Sequence, residues 1–212
     1  MKDDAAASRG EAEVSRARSG EKYERLLGGA AALMARQGYS QTTMRDVARE
    51  TGFSLAGMYY YFKSKEDLLF QIQQRTFSEL LALQEEQLAR GGDAAERLRR
   101  LIDRHLAFYV RHADELKVCT YELDSLSGEK YQQIESLRRR YFALGVAIIA
   151  EVMGVRPGSV HEAAPVRHAT LFLFGMLNWV FMWYRPGRDC GPEQLAREMA
   201  DFVLDGLRGS RS

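Results

Sequence analysis

At 212 residues, with 46% hydrophobic and 28% charged side chains and only four prolines, the chain is neither disordered nor fibrous. It is long enough for a small module and a larger core. The formal net charge is +1, but residues 1–65 hold 11 Lys+Arg and 8 Asp+Glu while residues 66–212 hold 19 and 21, which places an anionic partner at the N-terminal end.

Apolar residues recur at helical spacing almost throughout and strand signals are nearly absent, so the expected fold is all-α, with about nine helices. Residues 1–20 are small, polar and mixed in charge, lack the apolar run of a signal peptide, and read as a disordered leader. A first helix is expected over 21–37, with Tyr23, Leu26, Leu27, Ala30 and Met34 on one face and Gly38 after its end. A short second helix starts behind Thr43 as N-cap, carries Met44, Val47 and Ala48 inward, and stops at Gly52. Ser54 caps a third over 55–62. Ser64 caps a fourth, with Asp67 as a shortened capping box, running from Lys65 to about Ala89. Further helices are expected near 94–112, 113–125, 129–153, 162–183 and 192–207, with breaks at glycines and prolines between them. The charge-free run 169–184 is shorter than the roughly 20 residues a bilayer requires, so it reads as a covered helix and no membrane contact is expected.

Two short helices joined at a glycine stand out: Thr43-Met-Arg-Asp-Val-Ala-Arg-Glu-Thr-Gly52-Phe-Ser-Leu-Ala-Gly-Met-Tyr-Tyr-Tyr-Phe62. Ala48 is small where the helices cross, Gly52 supplies the left-handed turn, and Phe53 and Met58 plug the gap. Such a turn projects its second helix outward, where it can enter a major groove. An isolated glycine turn would be an ordinary helical hairpin. Here Lys63-Ser-Lys65-Glu-Asp-Leu-Leu69 follows, and Ala30, Leu33, Met34, Gly38 and Tyr39 precede. With these residues the chain resembles the TetR family, from about Leu26 to Leu69.

That resemblance implies a helix-turn-helix DNA-binding domain over 21–66, a ligand-binding and dimerisation domain over 67–210, and double-stranded operator DNA as partner. Position by position it places Thr43, Arg45, Leu55, Ala56, Gly57, Tyr59, Tyr60, Lys63 and Lys65 at DNA. Thr43 would offer its hydroxyl and amide to phosphate, Tyr59 its hydroxyl and Lys65 its ammonium. Many members carry glycine and then a small residue where this chain has Ala56 and Gly57, so base-reading side chains are few. Phosphate positioning and DNA shape are expected to carry more of the specificity.

The resemblance also implies that the last two helices pair across a two-fold axis into a homodimer, with Leu195, Met199, Phe202, Val203, Gly206 and Leu207 on one face of the last. It implies that the central helices enclose a small apolar effector, with Phe108, Tyr121, Arg138, Phe142, Phe174, Asn178 and Trp179 as candidate contacts. Arg138, which borders an apolar face while Arg139 and Arg140 point away, is the anchor for an anionic ligand. Without the resemblance, most of the aromatic residues are simply core. The run Phe174 to Gly187 is similar to a branch of the family that senses acyl-CoA thioesters. The expected role is a repressor released from a palindromic operator by such an effector, with no cofactor and a cytoplasmic location.

Three alternatives remain open: a regulator of the same fold responding to hydrophobic drugs, a helical metal-binding protein, and a thioester hydrolase. His161-Glu162-Ala-Ala-Pro165 lacks the second histidine of a zinc-protease motif. His105 and His112 stand seven residues, or two helical turns, apart, as do His161 and His168, and a metal site on either pair would need further ligands that the sequence does not name. Cys119 and Cys190 form no CxxC or CxxH spacing, in keeping with a reducing compartment. No GxSxG, phosphate loop or dinucleotide fingerprint is present.

Overall fold

The structure, a computed structural model, describes residues 3–155, 164–185 and 187–209. Among them the chain is all-helical: α1 (Asp3–Gln37), α2 (Met44–Thr51), α3 (Leu55–Tyr61), α4 (Lys65–Leu88), α5 (Ala94–Arg111), α6 (Ala113–Tyr121), α7 (Gly128–Met153), α8 (Ala164–Trp183) and α9 (Pro192–Gly209), with a 3-10 turn at Leu123–Ser125. The expected start of α8 at Glu162 and the reading of His161 lie outside the described residues. At the other end, the backbone is helical from Asp3, where the sequence reads as a leader through Gly20. The three alanines at 5–7, and the Glu and Arg residues after them, are strong helix formers, so this segment has intrinsic propensity without an apolar face.

Two compact units divide the chain, Met1–Ile72 and Gln73–Ser212. The first extends past Glu66 because Leu68, Leu69 and Ile72 of α4 are buried and Gln71 accepts a hydrogen bond from the Tyr23 hydroxyl at 3.2 Å. Its core joins Leu26, Ala30 and Met34 of α1 to Val47 of α2, Met58 of α3 and Phe62. Tyr23 stacks on Phe62 at 5.6 Å, and Arg36 pairs with Glu50 at 3.1 Å across α1 and α2.

In the second unit α5 is amphipathic, opened by an Asp93–Glu96 capping box, and buries Leu98, Leu101, Ile102, Leu106 and Phe108. It packs on α7 and on α9, whose Ala196, Ala200 and Leu204 are covered. Full burial of each large aliphatic side chain contributes about 1.5–3 kcal/mol. On the far side of α7, Gly145 faces α8 so closely that a β-carbon there would lie 2.8 Å from the Phe174 ring. No helix among the described residues is long and apolar enough to cross a membrane.

Candidate nucleic-acid interface and ligand cavity

Local capping chemistry builds the α2–α3 pair. Gly52 closes α2 in the left-handed region, at φ 74° and ψ 17°, and its amide donates to Ala48 O. Ser54 opens α3 by accepting from the Gly57 amide at 3.0 Å, and Ser64 opens α4 by accepting from the Asp67 amide at 3.0 Å. Asp67 in turn accepts from the Lys63 amide at 3.1 Å. With Met58 pointing inward and wholly buried, α3 turns Ala56, Tyr59 and Tyr60 outward, Tyr60 at 84% exposure. Arg45 and Lys63 are exposed, while Leu55 and Gly57 are half-buried. Arg45 has no side-chain partner among the described residues, whereas its neighbour Arg49 pairs with Asp46 at 2.8 Å.

The second unit holds a cavity of about 1000 Å³ among α4, α5, α6, α7 and α8. Its wall is mainly apolar, with Phe77, Val146, Leu171 and Phe174 among its residues. Arg138, Arg139 and Glu135 supply charge. The Arg138 guanidinium donates to Cys119 O at 3.2 Å, near the end of α6, and lies 5.8 Å from the centre of the Phe77 ring. Cys119, also on the wall, is buried, which pushes its thiol up to about 12 and keeps it protonated.

Residues 26–72 match the family described as bacterial regulatory proteins, tetR family, and residues 91–207 match the tetracyclin repressor-like C-terminal domain. This chain belongs to the TetR family. It is a ligand-responsive DNA-binding transcriptional regulator with its helix-turn-helix in α2 and α3. It is similar to the HTH-type transcriptional repressor KstR2 of Rhodococcus jostii, at 28% identity over 90% of this chain and 92% of that one. A fatty acid metabolism regulator protein of Bacillus subtilis is 24% identical over 88% of this chain and 95% of its own. Among solved structures, the TetR regulator PfmR from Thermus thermophilus superposes with a TM-score of 0.74 and 31% identity, covering 86% of this chain and 98% of that one.

Within this TetR chain the structure redistributes the residues expected from sequence. Thr43 does not offer a free hydroxyl and amide: both donate to the Asp46 carboxylate, at 2.6 and 3.1 Å. These bonds hold the Asp46 carboxyl below its ordinary range, so an anion stands where phosphate was expected to be received. Lys65 is partly committed too. Its ammonium donates to Tyr39 O at 2.9 Å and sits 4.1 Å over the Tyr39 ring, tying the start of α4 to the loop after α1.

Of the seven expected effector contacts, Arg138, Phe142, Phe174 and Asn178 line the cavity. Phe108 does not; it is fully buried in α5 and stacks on His112 at 4.3 Å. Tyr121 ends α6 outside the cavity, edge-on to Phe181 at 5.5 Å, while Thr120 takes the lining position. Trp179 lies on another face of α8, in a groove with Trp183, Met199 and Phe202. One residue advances a helix by about 100°, so Asn178 shares the cavity face with Leu171 and Phe174 while Trp179 turns away. Arg139, expected to point away, is also at the cavity, paired with Glu135 at 2.6 Å. Sequence reasoning missed His105 and Tyr141 as lining residues; a lone histidine among the apolar positions of α5 was the available signal.

The side chains expected at DNA are separable by salt dependence. Arg45→Ala is expected to reduce the slope of log affinity against log salt by about one unit while leaving the melting temperature unchanged. Lys65→Ala is expected to cost about 1 kcal/mol of stability through the lost Tyr39 bond, as well as affinity. Binding titrations at several salt concentrations beside thermal melts distinguish the two. An unchanged slope in Arg45→Ala removes that residue from the phosphate contacts.

Proposed function

We propose that this chain is a homodimeric repressor released from its operator when an apolar acid, carried as its CoA thioester, enters the cavity of the second unit. The cavity carries this reading: about 1000 Å³ of mainly apolar space, with Arg138 on its wall and Arg139 held there by Glu135, suits an acyl chain ending in an anionic carrier met by Arg138. The similarity to a regulator of fatty acid metabolism supports the same ligand class. For DNA, the exposed Arg45, Ala56, Tyr59, Tyr60 and Lys63 are the contact set. Half-buried Leu55 and Gly57 back the surface, and Thr43 and Lys65 hold it in shape. The dimer forms through α8 and α9, where Phe172, Trp179, Trp183 and Phe202 are exposed.

Release requires the thioester to bind better to the form with low operator affinity. A coupling of about 1–3 kcal/mol weakens operator binding roughly 5- to 150-fold, and operator weakens thioester binding by the same factor. The experiment titrates operator binding with acyl-CoAs of graded chain length, beside free CoA and free acids. Arg138→Ala is expected to reduce thioester affinity with little change in operator affinity without ligand. Response to an unrelated planar cation and to no thioester would replace the metabolic reading with a drug-responsive one.

A further inference from the structure

Beside the same cavity, α4, α5 and α7 bring three neutral polar side chains together, of which His105 and Tyr141 line it. His105 Nδ1 lies 2.8 Å from the Tyr141 hydroxyl oxygen, with the two rings stacked at 5.9 Å. The Gln84 side chain is buried near the same hydroxyl, and its amide donates to Leu101 O at 3.1 Å. All three are buried, and burial lowers His105 to about 4 and pushes Tyr141 up, so both rings are neutral at physiological pH.

The direction of the His105–Tyr141 hydrogen bond sets the imidazole tautomer. When the Tyr141 hydroxyl donates to His105 Nδ1, the single imidazole proton stands on Nε2. Nε2 has no partner among the described residues, and His105 and Tyr141 both line the cavity. An N–H donor that opens on a mainly apolar cavity favours a ligand that supplies an acceptor there. An apolar ligand with one carbonyl meets that need.

We propose that His105 Nε2–H is a specificity-determining donor that reads a carbonyl oxygen on the ligand, with Tyr141 holding the imidazole in the donating tautomer. The inference rests on the cavity being the effector site, and it adds the chemistry by which a carbonyl compound is told from a hydrocarbon of the same shape. A ketone and a thioester present the same acceptor.

The test is direct calorimetric binding of octanoyl-CoA and its thioether analogue S-octyl-CoA, which lacks the carbonyl, to the full-length protein. Wild type is expected to prefer the thioester by about 10-fold. His105→Phe, which keeps ring volume, should erase that preference by weakening the thioester and leaving the thioether within about 2-fold. His105→Gln restores a donor and should recover part of the preference, and Tyr141→Phe should lose part of it. Equal affinity of the two compounds in wild type overturns the inference alone. An equal loss of both compounds in His105→Phe, with helix content unchanged, overturns it by making His105 structural. Binding of neither compound overturns the thioester reading and the inference with it.

Discussion

Phe202→Glu is expected to convert the protein to monomers and to lower operator affinity by about 100- to 10,000-fold. Phe202 is 72% exposed on α9, beside Phe172 at 70% and Trp179 at 52% on α8. Exposed aromatic side chains adjoining one another on α8 and α9 support the proposed association through this face. A glutamate at its centre would bury an unpaired charge, costing several kcal/mol in the dimer and nothing in the monomer. On the proposed dimer, DNA affinity should fall with it, because two half-sites about one helical turn apart would be held by two linked recognition helices, and the second contact adds avidity only while they are joined. Sedimentation and operator binding on the same preparation check both parts. A folded Phe202→Glu variant that remains dimeric would move the interface away from α8 and α9.

Phe108→Ala is expected to destabilise the second unit by about 3–5 kcal/mol and lower its unfolding midpoint by about 10 °C. The ring is wholly buried in the unit's core and stacked on His112, so its removal leaves a cavity that α5 cannot close. The half-buried Phe142 provides the contrast. It lines the ligand cavity and meets Phe174 at 5.6 Å, so Phe142→Ala should cost less stability and more thioester affinity. Thermal melts with and without octanoyl-CoA separate the two: the ligand-induced rise should persist in Phe108→Ala and shrink in Phe142→Ala. Loss of that rise in Phe108→Ala would return the residue to the ligand site.

Much of this molecule was legible in its sequence, for local reasons. The helical period marked α2 to α9 to within a few residues, and Thr43, Ser54, Ser64, Gly38 and Gly52 marked ends where a side chain or a left-handed glycine satisfies the backbone. The helix-turn-helix was readable because its spacing, its glycine and its inward-facing Val47, Ala48 and Met58 lie within twenty consecutive residues. At the N-terminus, polarity pointed to a leader while propensity pointed to a helix, and α1 follows propensity.

What each exposed or polar side chain does was decided by contacts that sequence spacing does not encode. Lys65 meets Tyr39 across 26 residues, and His105 meets Tyr141 across 36. Between neighbours on one helix, a 100° step separates a cavity residue from a surface residue, which divides Asn178 from Trp179 and Thr120 from Tyr121. Periodicity shows that a helix has an apolar stripe; only the neighbouring helices show which part of it meets core, cavity or partner. The sequence by itself therefore determined the family, the helices and the DNA-binding motif, because those are written in short-range pattern. Tertiary packing decided that Lys65 serves Tyr39, that Phe108 is core and that His105 stands at the cavity, because burial and long-range hydrogen-bond partners arise only where distant segments converge.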